Sequence, residues 1–228
     1  DLTITLLKFS KSFDGPTVAG GAPTLSFTIE NGSSIETVTN LSFTDDLDAA
    51  LSGLTAVSFP ADGFCGAGST LAGSGTLTFS GGSLDPGTSC TFSVMLQVPA
   101  SATPGSYTNT TSSLSGVLGG IPVTENPATA SLTVEPPPAF SKVFAPDTIA
   151  NGGISILTFT IDNTASALAA TGLDFTDYLP AGVVVADPPN ASTTCTGGTL
   201  TAVAGSSTIT YASGGSVPAG ASCTIQVD

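Results

Sequence analysis

Four cysteines, Cys65, Cys90, Cys195 and Cys223, and three lysines, Lys8, Lys11 and Lys142, are the residues of this chain with the most distinctive chemistry. Two of the lysines sit in one repeated word, FSKSF at 9–13 and FSKVF at 140–144. Paired cysteines offer disulfides; a zinc reading lacks both a CxxC and any His. The absence of His and Trp also removes the commonest general base and the largest aromatic platform for a sugar ring. Ser and Thr abound, yet no base stands ready to turn one into a nucleophile. Asp45, Asp46 and Asp48 in TDDLD, with Asp174 and Asp177 later, could offer oxygens to calcium, but no DxDxDG loop appears and solvated turn acids are the preferred reading. No enzyme and no cofactor are expected.

The charge balance excludes more. Three basic against 17 acidic side chains give 3 − 17 = −14, too few cations to neutralise phosphates, so nucleic acid is excluded as a partner. No run of roughly 18 apolar residues is present, so this segment is expected to insert into no membrane. The chain is 40 % apolar, with 27 Gly and 16 Pro punctuating short Thr-, Val-, Ile- and Phe-rich stretches. That is the composition of a folded all-β protein rather than a disordered one.

Laid over itself with a shift of roughly 130 residues, the sequence matches in order. PTLSFTIEN (23–31) pairs with SILTFTIDN (155–163), LSFTDDL (41–47) with LDFTDYL (173–179), and LTFSGGSLDPGTSCTFSV (77–94) with ITYASGGSVPAGASCTIQV (209–227). Each copy alternates apolar with hydroxyl residues between turn clusters such as NGSS, SGGS and PAGAS, as short antiparallel strands do. LDAALSGL (47–54) and ASALAATGL (165–173) are read as loops or single turns. EPPPAF (135–140) reads as a stiff proline linker that holds two modules apart in a rod.

Four cysteines allow three pairings, and only Cys65–Cys90 with Cys195–Cys223 respects the repeat. Each closed loop should stabilise its module by about 3 kcal/mol. Such disulfides imply an oxidising, extracytoplasmic compartment. Four Asn-x-Ser/Thr sequons, at Asn31, Asn40, Asn109 and Asn190, are read as chance in a Ser/Thr-rich chain.

Taken together, FxKxF, GGxxxLTFTIxN, LxFTDxLPxG and GxSCTIxV resemble the conserved tandem-repeat Ig-like domain of bacterial secreted and cell-surface proteins. The second copy follows that pattern, including DYLPAGV at 177–183, whereas the first has DDLDAAL where LPxG belongs. The resemblance implies two tandem Ig-like antiparallel β-sandwich domains outside a cell, and it implies no catalytic residues. The expected organisation is a leading strand at 1–7, a first repeat at 8–135, a proline linker at 136–139 and a second repeat at 140–228.

Lys11 and Lys142 then have two readings. In the first, the two Phe of FSKxF point inward while the intervening Lys points out, or lays its stem on apolar surface and pairs with a carboxylate. In the second, known from some Ig-like bacterial adhesins, Lys11 is crosslinked to Asn109 with Asp45 as the activating acid. The first is preferred here, because the sequence alone displays no dry pocket.

The ends of the chain do not fall on the repeat boundaries. LTIT at its start, Leu2, Thr3, Ile4 and Thr5, resembles a module's last strand, and the segment from about 95 to 134 has no partner in the second copy. Either the chain is a window of a longer array, or the leading strand completes the open sandwich of the next molecule by β-strand addition. Both make it a structural, non-catalytic module of an extracellular bacterial fibre, whose partners are neighbouring repeats or copies of itself. The alternative is a ligand-binding adhesin tip, with the loop at 57–73 as the place to look.

Overall fold

Alternation writes the strands. In TLSFTIEN the residues Leu25, Phe27 and Ile29 are buried, and in SCTFSVMLQ so are Cys90, Phe92, Val94 and Leu96, while the intervening Ser, Thr and Gln face outward. The computed structural model describes residues 7–228. Its strands in the first half are β1 (Leu7–Phe13), β2 (Thr17–Val18), β3 (Thr24–Asn31), β4 (Val38–Asp46), β5 (Thr55–Ser58), β6 (Thr70–Ala72), β7 (Thr76–Leu84), β8 (Ser89–Gln97), β9 (Gly105–Thr110), β10 (Leu114–Leu118), β11 (Ile121–Glu125) and β12 (Thr129–Glu135). The second half holds β13 (Ala139–Ala145), β14 (Ile156–Asp162), β15 (Ala170–Tyr178), β16 (Ser192–Thr193), β17 (Thr199–Ala202), β18 (Thr208–Val217) and β19 (Ser222–Val227). The one helical turn, α1 (Leu47–Ala50), follows β4.

The fold is all-β and antiparallel, in two compact units, Asp1–Val134 and Glu135–Asp228. In the first, a sheet ordered β1-β3-β8-β5 faces one ordered β11-β10-β4-β7-β6, and a third sheet, β2-β12-β9, completes the module. Between them lies a core of Phe27, Phe43, Phe79 and Phe92 with surrounding Leu and Val. Successive rings touch at centroid distances of 5.1 Å (Phe27–Phe43), 5.2 Å (Phe43–Phe79) and 5.2 Å (Phe79–Phe92). The second unit has sheets β13-β14-β19-β16 and β15-β18-β17 around Phe159, Tyr211 and Ile225. Among the described residues it has no counterpart of β9 to β12.

Repeated Asn residues tie the sheets at matching corners. Asn31 donates through Nδ2 to the carbonyls of Glu36 (2.9 Å) and Leu84 (3.1 Å), and Asn163 to those of Leu168 (2.8 Å) and Pro218 (3.0 Å). Asn31 is thus a buried strut. The repeated glycine pair has a steric reason too. A Cβ on Gly82 would stand 2.6 Å from the Phe79 ring, and one on Gly215 2.2 Å from the Tyr211 ring, so both aromatic rings lie where a side chain would be.

One local expectation holds and one needs adjusting. LDAALSGL does yield a single turn, α1, with the Asp46 side chain accepting from the Ala49 N–H at 3.1 Å. In ASALAATGL, however, the stretch from Ala170 onward belongs to β15. Gly172, at φ +68, absorbs a register shift against β18, so the strand continues through a bulge where the sequence suggests a break. Leu2 to Thr5 lie outside the described residues; Leu7 already belongs to β1, opposite Asn31.

Candidate functional site

Period 2 decides where Lys11 goes. On β1, Leu7, Phe9, Lys11 and Phe13 share one face, and that face looks into the first module. Lys11 therefore points inward with the two Phe. This corrects the outward orientation preferred above, which overlooked that residues two apart on a strand lie on the same side. Its partner is a carboxylate, but a buried one. Asp45 follows Leu41 and Phe43 at inward positions of β4, so it is no solvated turn acid. Asn109 sits on the inward face of β9.

The three side chains form one cluster. Lys11 Nζ donates to Asp45 Oδ1 at 3.1 Å and Oδ2 at 3.0 Å, with both side chains 0 % exposed. Lys11 Nζ also donates to Asn109 Oδ1, while Asn109 Nδ2 donates to Asp45 Oδ1 at 2.8 Å and to the Asp46 carbonyl at 3.1 Å. The Phe27 ring centroid lies 5.9 Å from the ammonium. The chain following β9 is pinned to β4 by the Ser112 N–H on the Thr44 carbonyl, at 2.8 Å, and by the Ser112 hydroxyl accepting from the Thr44 N–H, at 2.9 Å. That fixes the carboxamide against the ion pair.

Burial draws the Lys11 ammonium below its ordinary range, and the charge and hydrogen bonds of Asp45 offset this only in part. The cluster thus holds an amine disposed to give up its proton, a carboxylate placed to take it, and an amide carbonyl in contact with the amine. That is the set of groups a Lys–Asn amide bond requires.

The second module repeats the first two groups. Lys142 Nζ donates to Asp177 Oδ1 at 2.7 Å, with side chains 34 % and 15 % exposed. Of the other acids in the calcium reading, Asp46 caps α1, Asp48 accepts from the Gly53 N–H at 2.7 Å, and Asp174 is exposed on β15. Cys65 is joined to Cys90 and Cys195 to Cys223, each within one module and with no free cysteine among the described residues. The loop at 57–73 carries part of β5, β6 and Cys65, so much of it is anchored to the sandwich. Among the described residues no helix is long and apolar enough to cross a membrane.

A family model described as "Domain of unknown function (DUF7933)" matches twice, over residues 8–134 and 138–228. No curated protein matches the chain. The solved structures that resemble it include the major pilin subunit of Bacillus cereus, with a TM-score of 0.47 and 12 % identity over 96 % of this chain. This chain spans only 55 % of that pilin. A family 123 glycoside hydrolase from Clostridium perfringens follows at a TM-score of 0.29 and 12 % identity, covering 58 % of this chain and 28 % of its own. A beta-N-acetylglucosaminidase from Vibrio harveyi matches at 0.29 and 14 %, covering 82 % and 26 %. None of these likenesses bears on the chemistry of the cluster.

Proposed function

The chain belongs to the DUF7933 family of domains of unknown function, and from that premise we propose that it is a structural, non-catalytic repeat module of an extracellular bacterial fibre, its first module locked by an amide bond between Lys11 and Asn109. The observation that carries this reading is the fully buried meeting of Lys11, Asp45 and Asn109. An ion pair kept only for stability gains little from burial, since desolvation offsets most of the attraction. A third group presented to the amine gives the arrangement a chemical purpose.

The bond forms once per molecule. Lys11 passes its proton to Asp45, and the neutral amine attacks Cγ of Asn109. A second amine proton travels through Asp45, which already holds Nδ2, to the departing nitrogen. The Cγ–Nδ2 bond breaks, ammonia leaves, and a Nζ–Cγ amide remains. Phe9, Phe27 and Phe43 keep water from the site, which keeps the amine neutral and the carboxamide from hydrolysing instead. The product ties β1 to β9, so tension entering at β1 would bypass the strands between them. The tandem modules, the disulfides and the excess of acidic surface all suit a secreted fibre.

Intact mass measurement tests this. The purified chain should weigh about 17 Da less than its sequence with both disulfides formed, the mass of one ammonia, and peptide mapping should join Lys11 to Asn109. A full sequence mass, with separate Lys11 and Asn109 peptides, would overturn the amide bond.

A further inference from the structure

Asn31 and Asn151 are the two asparagines that a glycine follows, in TIENGSS and TIANGGIS. Such a pair carries a chemistry of its own. With no Cβ on the second residue, its backbone nitrogen can approach the asparagine Cγ and close a five-membered succinimide ring. The fold treats the two sites in opposite ways.

Asn31 is held on every side. Its side chain is fully buried, Nδ2 donates to the carbonyls of Glu36, Leu84 and Asp85, and Oδ1 accepts from the Ser33 N–H at 3.0 Å. To reach the Gly32 nitrogen, the carboxamide would have to give up all of these bonds inside a corner of the sandwich, and buried polar groups left unpaired are costly. Asn151 stands instead on an exposed tight turn, in which the Gly153 N–H donates to the Ala150 carbonyl at 2.8 Å and Gly152 takes φ +78.

This exposure belongs to the turn itself. The first module, with β9 to β12 in place, folds the same turn at 18–21: the Gly21 N–H donates to the Val18 carbonyl at 2.9 Å, Gly20 has φ +77, and Ala19, at the place of Asn151, is exposed. The Gly20 N–H there donates to the Pro99 carbonyl at 3.2 Å. A bond that long, at an exposed residue, opens locally without unfolding the module.

We propose that Asn151 is a modification site, converted with time to aspartate and isoaspartate, while Asn31 stays intact. The Gly152 nitrogen loses its proton and bonds to Cγ of Asn151; the Cγ–Nδ2 bond breaks, and the carboxamide nitrogen takes up a proton and leaves as ammonia. Water then adds to one of the two imide carbonyls. Breaking the new N–Cγ bond gives aspartate, and breaking the original peptide bond gives isoaspartate, whose backbone runs through the side chain and is one methylene longer. Either product adds a carboxylate to a chain of net charge −14 and so marks the age of the second module. Because the attacking nitrogen must lose its proton, the reaction quickens as pH rises.

The test incubates the purified chain at pH 7 and pH 9 and maps its peptides over time. The peptide holding Asn151 should gain about 1 Da, faster at pH 9, and become a substrate for an L-isoaspartyl methyltransferase, while the peptide holding Asn31 keeps its mass. In urea the two sites should react at similar rates, because the difference between them lies in the fold. Asn151→Gln, which would have to close a six-membered ring, should stop the gain, and Gly152→Ala should slow it about tenfold or more. No gain at Asn151 in the folded chain, a gain at Asn31 as fast as at Asn151, or an unchanged rate in Gly152→Ala would overturn the assignment. The succinimide itself is lighter by about 17 Da, as a bond between Lys11 and Asn109 would be, and mapping tells the two apart, so the two readings fail separately.

Discussion

Lys11 and Asn109 stand 98 residues apart in the sequence, yet the Lys11 ammonium donates to the Asn109 carboxamide oxygen inside the first module. Between those two residues the chain builds β2 to β8 and closes the Cys65–Cys90 disulfide. A bond at this point would therefore enclose most of the first module in one covalent ring, with the disulfide closing a smaller ring inside it.

Asp45→Ala should remove both the bond and the balance of charge. The chain is expected to regain about 17 Da, and the first module to lose about 3–5 kcal/mol, as when one partner of a buried ion pair is removed. Urea unfolding measures the loss. A variant that keeps the lighter mass would show that Asp45 has no part in forming the bond.

Asn109→Ala leaves Lys11 free to titrate, and its stability should then depend on pH. Burial, the leading cause, holds the folded-state pKa of Lys11 below its ordinary value of 10.5. Between the two values the unfolded chain binds more protons than the folded one, so stability should rise with pH through that window and level off at its lower value below it, where both states are protonated. The comparison is the double variant Lys11→Met, Asn109→Ala, in urea at pH 7 and pH 10. Equal pH slopes for the two proteins would refute the assignment.

Each disulfide should stabilise only its own module. Cys65→Ser with Cys90→Ser is expected to cost the first module about 3 kcal/mol, and Cys195→Ser with Cys223→Ser the same for the second. Calorimetry of the two proteins should show one transition lowered in each case. A loss spread over both transitions would contradict the confinement of each bridge's effect to its own unit.

Gly215→Ala should damage the second module through one contact, because the added methyl would meet the Tyr211 ring at 2.2 Å. Tyr211 is fully buried and donates to the Gly197 carbonyl at 2.7 Å, so it has little freedom to move. A cost of about 1–3 kcal/mol is expected, as for other overpacked cores. Gly205→Ala, where nothing lies within 4 Å, carries only the backbone strain of φ +77 and should cost less.

Much of this protein is legible in one dimension. The repeat, the alternation in TLSFTIEN and SCTFSV, and the Gly and Pro punctuation are local signals, and strands follow from them because a side-chain period of 2 needs only near neighbours. The pairing of the cysteines follows from the repeat itself. Even the inward turn of Lys11 is local information, since FSKSF puts Phe9, Lys11 and Phe13 on one face. The continuation of β15 through Thr171 and Gly172 was less accessible, because a bulge depends on the strand opposite. What only the tertiary structure decided is the company Lys11 keeps. The sequence names Asn109 and Asp45 as candidate partners only by analogy with Ig-like adhesins, and no local pattern in SYTNTT or TDDLD requires either of them to meet Lys11. That meeting arises when β1, β4 and β9 are packed around one point and water is driven out.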